Sequence, residues 1–518
     1  MDRKAFAVYT LIVGGLIGVL AQVLFYGKLI GVSFPLFIAL AFIVVLASNG
    51  VLRQPLRLRN LWVLAPALFF AIMVAIRADA TITLLNIAAA LALSGLALYY
   101  LPMSKKLDLS TIDENVKGTL GAIFGIIFAP LFELWDASIW ALSRMTGNWR
   151  VVASVGRGLL IAAPVLLVFA VLLASADAVF AGYVDQVMTF FSFPYLNVEF
   201  YRIAFIGGFG WLACGAIAYG VARRSVFQPT REEDKPKRKR FSLGLIESCI
   251  TLGSVDLLFA LFVAIQFRYF FGGEGAIGVA GMTYSQYARR GFFELVAVSV
   301  ITLGLVLLLD NATVRRAAHH TTLFRALAVI LVGLTGVLLV SAAQRMLLYE
   351  AAYGFTPLRV YTHVFMIWLG VLFGFFLLAL FRVRMQIFSL GVLVVIIGYL
   401  GTLNLMNVEG YIAERNIARA AEGYEIDWWY LSTLSVDATP AVLNLFEKTE
   451  SAGLHNVAGQ WLVYKLMSLD YTHTNDATVF SANLSRDGAW AALNAIRDQL
   501  PEYDPYFFGS RSYSERMY

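Results

Sequence analysis

Long uninterrupted apolar runs are the feature of this sequence that most constrains its fold. Runs such as 6–25, 245–267 and 360–380 contain few or no charged residues. A bilayer core takes about 20 apolar residues as a helix, and a helix satisfies its backbone hydrogen bonds internally. With 59% hydrophobic and 14% charged residues among 518, the chain has more apolar surface than a soluble core could bury. We therefore expect an all-α membrane protein.

The runs predict a polytopic transmembrane helical bundle of about eleven spans. An acidic C-terminal segment follows the bundle, and we expect it to form a small helical domain outside the membrane. In chain order, the predicted spans are 6–25, 34–48, 61–76, 81–101, 159–174, 203–222, 245–267, 292–309, 326–343, 360–380 and 387–405.

The apolar run 118–135 is ambiguous, because Asp136 and a Trp-rich segment follow it at once. Cytoplasmic loops carry an excess of Lys and Arg, so topologies can be compared by where they place basic residues. If this run crossed the membrane, the basic cluster KPKRKR at 235–240 would lie outside. We therefore predict that 118–135 lies in the membrane plane or re-enters it. The N-terminus is then cytoplasmic, and the C-terminus is periplasmic or extracellular.

The pattern of apolar, polar and charged stretches divides the chain into six regions. They are a four-span N-terminal bundle at 1–101, a cytoplasmic polar stretch with the in-plane or re-entrant helix at 102–158, a two-span hairpin at 159–222, a basic cytoplasmic linker at 223–242, a five-span membrane core at 243–405 and an acidic helical tail at 406–518. Within the tail, Thr439 followed by Pro440 predicts a helix start, and Trp490, Leu493 and Ile496 have helical spacing.

Ionisable residues inside spans are costly, so Asp256 is the first candidate for a polar site. It could make a structural hydrogen bond between helices or bind a cation or proton. Two predicted outer loops add further candidates, which are Gln266, Arg268, Tyr269, Tyr287, Arg289, Arg290 and Glu294 in the first loop and Arg345, Tyr349, Glu350 and Arg359 in the second. Charge pairing explains these Arg residues most simply, and an outward-facing anion or headgroup pocket of Arg with Tyr is the functional alternative.

Recognisable catalytic and cofactor motifs are absent from the sequence. There is no Walker loop, dinucleotide fingerprint, GxSxG or HExxH. Cys214 and Cys249 both fall in predicted spans, and the His319–His320 pair has no second cluster of ligands nearby in sequence. We therefore predict no catalytic residues, no metal and no cofactor. The basic residues are spread over short loops, which is a topology signal and a poor one for nucleic acid.

Six stretches resemble a family of bacterial multi-pass membrane proteins that is catalogued as a domain of unknown function, of the DUF 4173 type. They are PVLLVFAVLLASADAVF at 164–180, LLFALFVAIQFRYFFGG at 257–273, YARRGFFELVAV at 287–298, RMLLYEAAYGFTPLRVYTHVFMIW at 345–368, NLMNVEGYIAERNIARA at 404–420 and YLSTLSVDATP at 430–440. The resemblance covers most of the chain. It implies a location in the bacterial cytoplasmic membrane, and it implies no activity. Val408–Glu409 stands where the family has a Pro-Asp-like pair, which keeps the acidic position.

Two functional classes follow, and a membrane enzyme is a third, less favoured one. The first is a non-enzymatic sensor, assembly or scaffold protein with an outward-facing tail. The second is a secondary transporter or lipid-handling permease that uses Asp256 and the outer Arg and Tyr loops. The tail and the lack of catalytic motifs favour the first class. Its expected partners are the lipid bilayer and a protein bound at the tail or the basic linker.

Overall fold

The computed structural model of the chain is built from helices throughout its described part. The structure describes residues 3–51, 58–100, 110–142, 197–222, 245–270, 292–313, 318–382, 384–476, 478–505 and 507. Before the tail the helices are α1 (Arg3–Phe25), α2 (Ser33–Val51), α3 (Leu64–Ile76), α4 (Ala80–Tyr100), α5 (Ile112–Leu142), α6 (Asn197–Ala222), α7 (Leu245–Phe270), α8 (Phe292–Ala312), α9 (Ala318–Tyr353), α10 (Pro357–Arg382) and α11 (Met385–Met406).

Eight of the described helices are long and apolar enough to cross a membrane. They are α1, α4, α5, α6, α7, α9, α10 and α11. The predicted count of about eleven is therefore not reproduced. The apolar parts of α2, α3 and α8 are too short to count as candidate spans. The predicted span 159–174 lies outside the described residues. α5 is a candidate span that was not among the eleven predicted ones. Several apolar helices of spanning length make this a membrane protein.

α5 contains the run 118–135, for which the sequence predicts an in-plane or re-entrant helix, and it is long and apolar enough to cross a membrane. It is one helix of 31 residues, with Pro130 inside it, and it packs against α1, α4 and α6. Gly118 lies against the ring of Tyr99 in α4, and the Trp211 indole of α6 donates to the Ile127 carbonyl at 2.8 Å. These contacts run along the helix over more than two turns, so α5 lies alongside α4 and α6. Counting basic residues could not anticipate this packing.

α1 and α6 pack as an antiparallel pair at very short range. A Cβ on Gly14 would lie 2.7 Å from the Gly210 carbonyl oxygen, and one on Gly18 would lie 2.2 Å from the Ile206 carbonyl oxygen. Small residues four apart allow backbones to approach in this way. Nearer the end of α1, the rings of Tyr26 and Phe205 are 5.7 Å apart. α6 therefore starts at the end of the bundle where α1 finishes.

Five helices form the tail. They are α12 (Val408–Ala421), α13 (Trp428–Thr433), α14 (Thr439–Lys448), α15 (Ala452–Asp476) and α16 (Leu484–Ala495). A helix starts at Thr439 as the sequence predicts, but Thr439 is its first residue and not its cap: α14 begins after Ala438, and no side chain caps it. Asn407 separates α11 from α12 by adopting a left-handed backbone with φ 52°. Asn tolerates this conformation better than most residues, so the chain can turn sharply there.

The tail packs onto the ends of membrane helices through a shared apolar core. Trp461 of α15 is fully buried, and its indole donates to the Leu431 carbonyl at 2.9 Å. The same cluster includes Ile82 of α4, Val360 of α10 and Leu403 of α11. The loop after α1 also reaches the tail, since Val32 N donates to the Ala482 carbonyl at 2.9 Å. α1 therefore begins at the end of the bundle that lies away from the tail.

Candidate functional site

Asp256, the first sequence candidate, lies in the middle of α7. Its side chain is buried, and neither carboxylate oxygen has a hydrogen-bond partner among the described residues. Other candidates cannot be placed around it. The side chains of Gln266, Arg268 and Tyr269 in α7 and of Glu294 in α8 are outside the described part, as are Tyr287, Arg289 and Arg290 entirely.

The second candidate group surrounds the turn between α9 and α10. The Arg359 guanidinium lies 4.2 Å from the centre of the Tyr349 ring and donates to the carbonyls of Tyr353 and Gly354. Glu350 is buried with Oε2 3.4 Å from His363 Nδ1. Arg345 is buried in α9. These contacts join the start of α10 to the end of α9, so the Arg359 guanidinium stabilises the turn between the two helices.

The tail is attached to this same turn by side chains of α12. The Asn416 amide accepts from Phe355 N at 2.8 Å and donates to the Phe355 carbonyl at 3.0 Å. Arg419 donates to the Ala351 carbonyl at 2.7 Å. Each of these hydrogen bonds is made to backbone atoms at or next to the end of α9. They therefore fix the position of α12 relative to α9 and α10.

A second attachment joins the tail to the turn between α3 and α4, and it centres on Asp437. This carboxylate is 2% exposed. It accepts the backbone N–H groups of Ala78 at 3.1 Å and Asp79 at 3.1 Å, and the hydroxyl of Ser485. Asp79 in turn accepts from Thr81 N at 2.7 Å, which caps α4, and from the Tyr361 hydroxyl at 3.2 Å. A tail carboxylate thus satisfies donors of a turn between membrane helices.

Amide and guanidinium groups complete the attachment. Arg77 Nε donates to the Asn404 carbonyl at 2.8 Å, so the α3–α4 turn also contacts the end of α11. The side-chain amides of Asn404 and Asn86 form a reciprocal pair at 2.8 and 2.7 Å, and both are buried. From the tail, Asn483 donates to the carbonyls of Val74 and Arg77 at 3.1 and 2.9 Å.

Two buried titratable side chains bind backbone groups at the end of α13 and in the segment that follows it. Glu409 accepts from Ser435 N at 2.7 Å, and Lys465 donates to the carbonyls of Ser432 and Leu434 at 2.9 and 2.6 Å. Burial raises the pKa of Glu409 to about 7; hydrogen bonds with Ser435 oppose the rise, and the negative charges of Asp79 and Asp437 add to it. Burial lowers the pKa of Lys465 to about 8 against the charge of Glu409.

We call these side chains the docking cluster, which consists of Arg77, Asp79, Asn404, Glu409, Asp437, Lys465 and Asn483. Chemically it brings together three carboxylates that hydrogen bonds stabilise, and the pKa of one of them, Glu409, is raised to about 7 by burial. Within the described ranges, no group of three His, Cys, Asp or Glu residues could hold a metal ion. The arrangement is suited to positioning the tail and to binding or releasing a proton.

Sequence reasoning missed this cluster. Asp79 stands between two spans and directly before α4, so its role as a helix cap could have been read from the sequence. Its partner Asp437 is 358 residues away, and nothing local indicates the pairing. From the sequence, Glu409 is identified only as the acidic position that the chain shares with the family it resembles.

Comparison with known proteins gives a family and no activity. Residues 64–445 match the family described as Domain of unknown function (DUF4153). The chain belongs to this family. The predicted type, a bacterial membrane family without assigned function, was numbered 4173, and that number is wrong. No curated protein matches the chain, and no solved structure matches it either.

The DUF4153 match includes most of the docking cluster. It begins in α3 and ends in α14, so it contains both carboxylates that meet at the α3–α4 turn, Asp79 and Asp437. Lys465 and Asn483 lie beyond it. The family region therefore contains α3 to α11 and the first part of the tail, while α1, α2 and the tail contacts made by Asn483 lie outside it.

Proposed function

We propose that this DUF4153 protein is a non-enzymatic membrane protein of the sensor, assembly or scaffold class. Its partners recognise the tail in its docked position. The observation that carries the proposal is Asp437, a buried tail carboxylate whose acceptor groups are occupied by the α3–α4 turn. A buried polar interface of this kind specifies one position and is lost as a unit when one partner is removed.

The proposal includes an orientation in a bacterial inner membrane. The N-terminus and the basic linker 223–242 are cytoplasmic, and the tail faces the periplasm or the cell exterior. Two properties support it: the linker is rich in Lys and Arg, and the tail is acidic. A protein partner would bind the tail or the linker.

Hydrogen exchange of the full-length protein in nanodiscs tests this function. We expect Asp437→Asn to expose the backbone of 77–82 and 408–446, because the neutral amide offers one acceptor oxygen in place of two to Ala78 N, Asp79 N and the Ser485 hydroxyl. A relay to the cytoplasmic side also requires a change in exchange within 223–242. Asp498→Asn, an exposed residue of the same tail, is the matched control. Local exposure with an unchanged linker would contradict sensing across the membrane.

A permease is the second candidate, and Asp256 favours it. A buried carboxylate without a hydrogen-bond partner among the described residues is costly in a span, which suits a cation or proton site. Proteoliposomes with an internal pH dye and an imposed potential test this function. The permease proposal expects a proton flux that Asp256→Asn abolishes. An equal flux for both proteins, or none, would contradict it.

A further inference from the structure

A cavity lies where the tail meets the loop between α1 and α2, outside the docking cluster. Its volume is about 210 Å³, and it is lined by Leu29, His473, Val479, Arg486, Asp487 and three small polar residues of the tail among others. Leu29 follows the last residue of α1 by four positions, so the cavity lies within one helical turn of the end of a candidate span. It is therefore at the level where a bilayer changes from hydrocarbon to headgroups.

The surface around this cavity is apolar where a water-facing surface would be polar. Val479 on the cavity wall is 83% exposed and Leu484 is 68% exposed. Tyr471 is 69% exposed beside Thr472, which lines the cavity, and Ile30 is 42% exposed in the α1–α2 loop. Apolar and Tyr side chains grouped at the edge of a span are typical of the membrane interface.

The charged groups of the cavity are fixed in place and of both signs. Arg486 donates to the carbonyls of Ile30 and Ser481 at 3.1 and 2.8 Å, and these bonds help to hold the guanidinium at the tail–loop junction. Asp487 accepts from Asn483 N at 3.0 Å, and its other oxygen lies 3.6 Å from His473 Nε2. The imidazole of His473 stacks on the Trp490 ring at 4.0 Å.

We propose that this cavity binds the headgroup of a phospholipid that carries a primary amine, with the phosphate at Arg486 and the ammonium at Asp487. A guanidinium is suited to a phosphodiester, and a carboxylate to an ammonium. Adjacent charges of opposite sign fit a zwitterionic headgroup better than an anionic one. An anionic headgroup has no ammonium to pair with the Asp487 carboxylate and would be repelled by it. The acyl chains would continue past Leu29 and Val479 into the leaflet.

Native mass spectrometry of the full-length protein in detergent tests the proposal. Wild-type protein is titrated with phosphatidylethanolamine, phosphatidylglycerol and diacylglycerol. We expect phosphatidylethanolamine to bind at least about tenfold more tightly than either of the others, which corresponds to about 1.4 kcal/mol. Equal binding of phosphatidylglycerol would overturn the assignment of the ammonium to Asp487. Equal binding of diacylglycerol would overturn the headgroup site. Both comparisons use wild-type protein and do not depend on any variant folding.

Variants and a soluble competitor locate the site and identify its source. We expect Arg486→Gln and Asp487→Asn each to weaken phosphatidylethanolamine binding about tenfold. Arg415→Gln and Asp498→Asn, on exposed parts of the tail, should leave it unchanged. Free phosphoethanolamine should compete poorly, because it lacks the acyl chains. Unaltered binding by both cavity variants, or full competition by free phosphoethanolamine, would contradict a membrane-lipid site.

Discussion

The contact between α1 and α6 and the docking cluster hold this protein together by opposite chemistry. At the first, glycines bring two backbones so close that a single added methyl group has no space. At the second, buried carboxylates, amides and a lysine meet backbone donors and acceptors beside the shared apolar core. The first interface depends on volume and the second on hydrogen bonds and protons, so different substitutions should damage each.

The largest effect is expected for Gly18→Ala. Its Cβ would lie 2.2 Å from the Ile206 carbonyl oxygen, and backbone cannot move aside cheaply. We expect a loss of about 3 kcal/mol in the free energy of unfolding. Denaturant unfolding in mixed micelles measures it. Gly15→Ala, in the same helix with no atom within 4 Å of its Cβ, is the control and should be neutral. Similar losses for both variants would show that α1 and α6 are not in close contact.

The next largest effect is a pH dependence of tail docking. It arises in the docking cluster and not at the contact between α1 and α6. The pKa of Glu409 is raised by burial to about 7 in the folded protein, above its ordinary value of 4.5, so folding favours the protonated form. Its contribution to docking is complete below pH 4.5 and is lost as the pH rises through 7. Between pH 5 and 7.5 we expect wild-type docking to weaken by about 2 kcal/mol.

Glu409→Gln should remove this pH dependence, because the amide does not titrate. Hydrogen exchange of 428–446 at several pH values measures it, with Glu414→Gln, an exposed residue of α12, as control. Lys465 does not interfere in this range, since its lowered pKa of about 8 changes stability only at higher pH. Parallel profiles for wild type and Glu409→Gln would contradict a buried proton at this position.

A smaller effect is expected for Asn404→Leu. This change leaves Asn86 buried without the amide that it pairs with in the structure. Hydrogen bonds between membrane helices are worth little individually, so we expect a loss of about 1.5 kcal/mol. A double-mutant cycle with Asn86→Leu measures the pair. The double variant should be less destabilised than the sum of the two single variants by about 1 kcal/mol. Strict additivity would mean that the two amides do not interact.

The two interfaces also differ in how far the sequence predicts them. Apolar runs locate most of the described helices, because this signal is local, whereas the partner of Gly14 and Gly18 in α6 cannot be read from their spacing alone. The start of α14 at Thr439 is local as well. The pairing of Asp437 with the α3–α4 turn depends on the tertiary fold, so no spacing reveals it. The helices that α5 contacts could not be predicted either, since charge counting says nothing about packing partners.

Photo-cross-linking in intact membranes tests the docking of the tail most directly. Arg486 of the tail donates to the Ile30 carbonyl at 3.1 Å, whereas Ile246 is an exposed residue at the start of α7. With a benzophenone amino acid at position 30, we expect mass spectrometry to find cross-links to 478–487, and with the same group at position 246 none to the tail. A tail that cross-links from position 246, or that fails to cross-link from position 30, would contradict the docked arrangement.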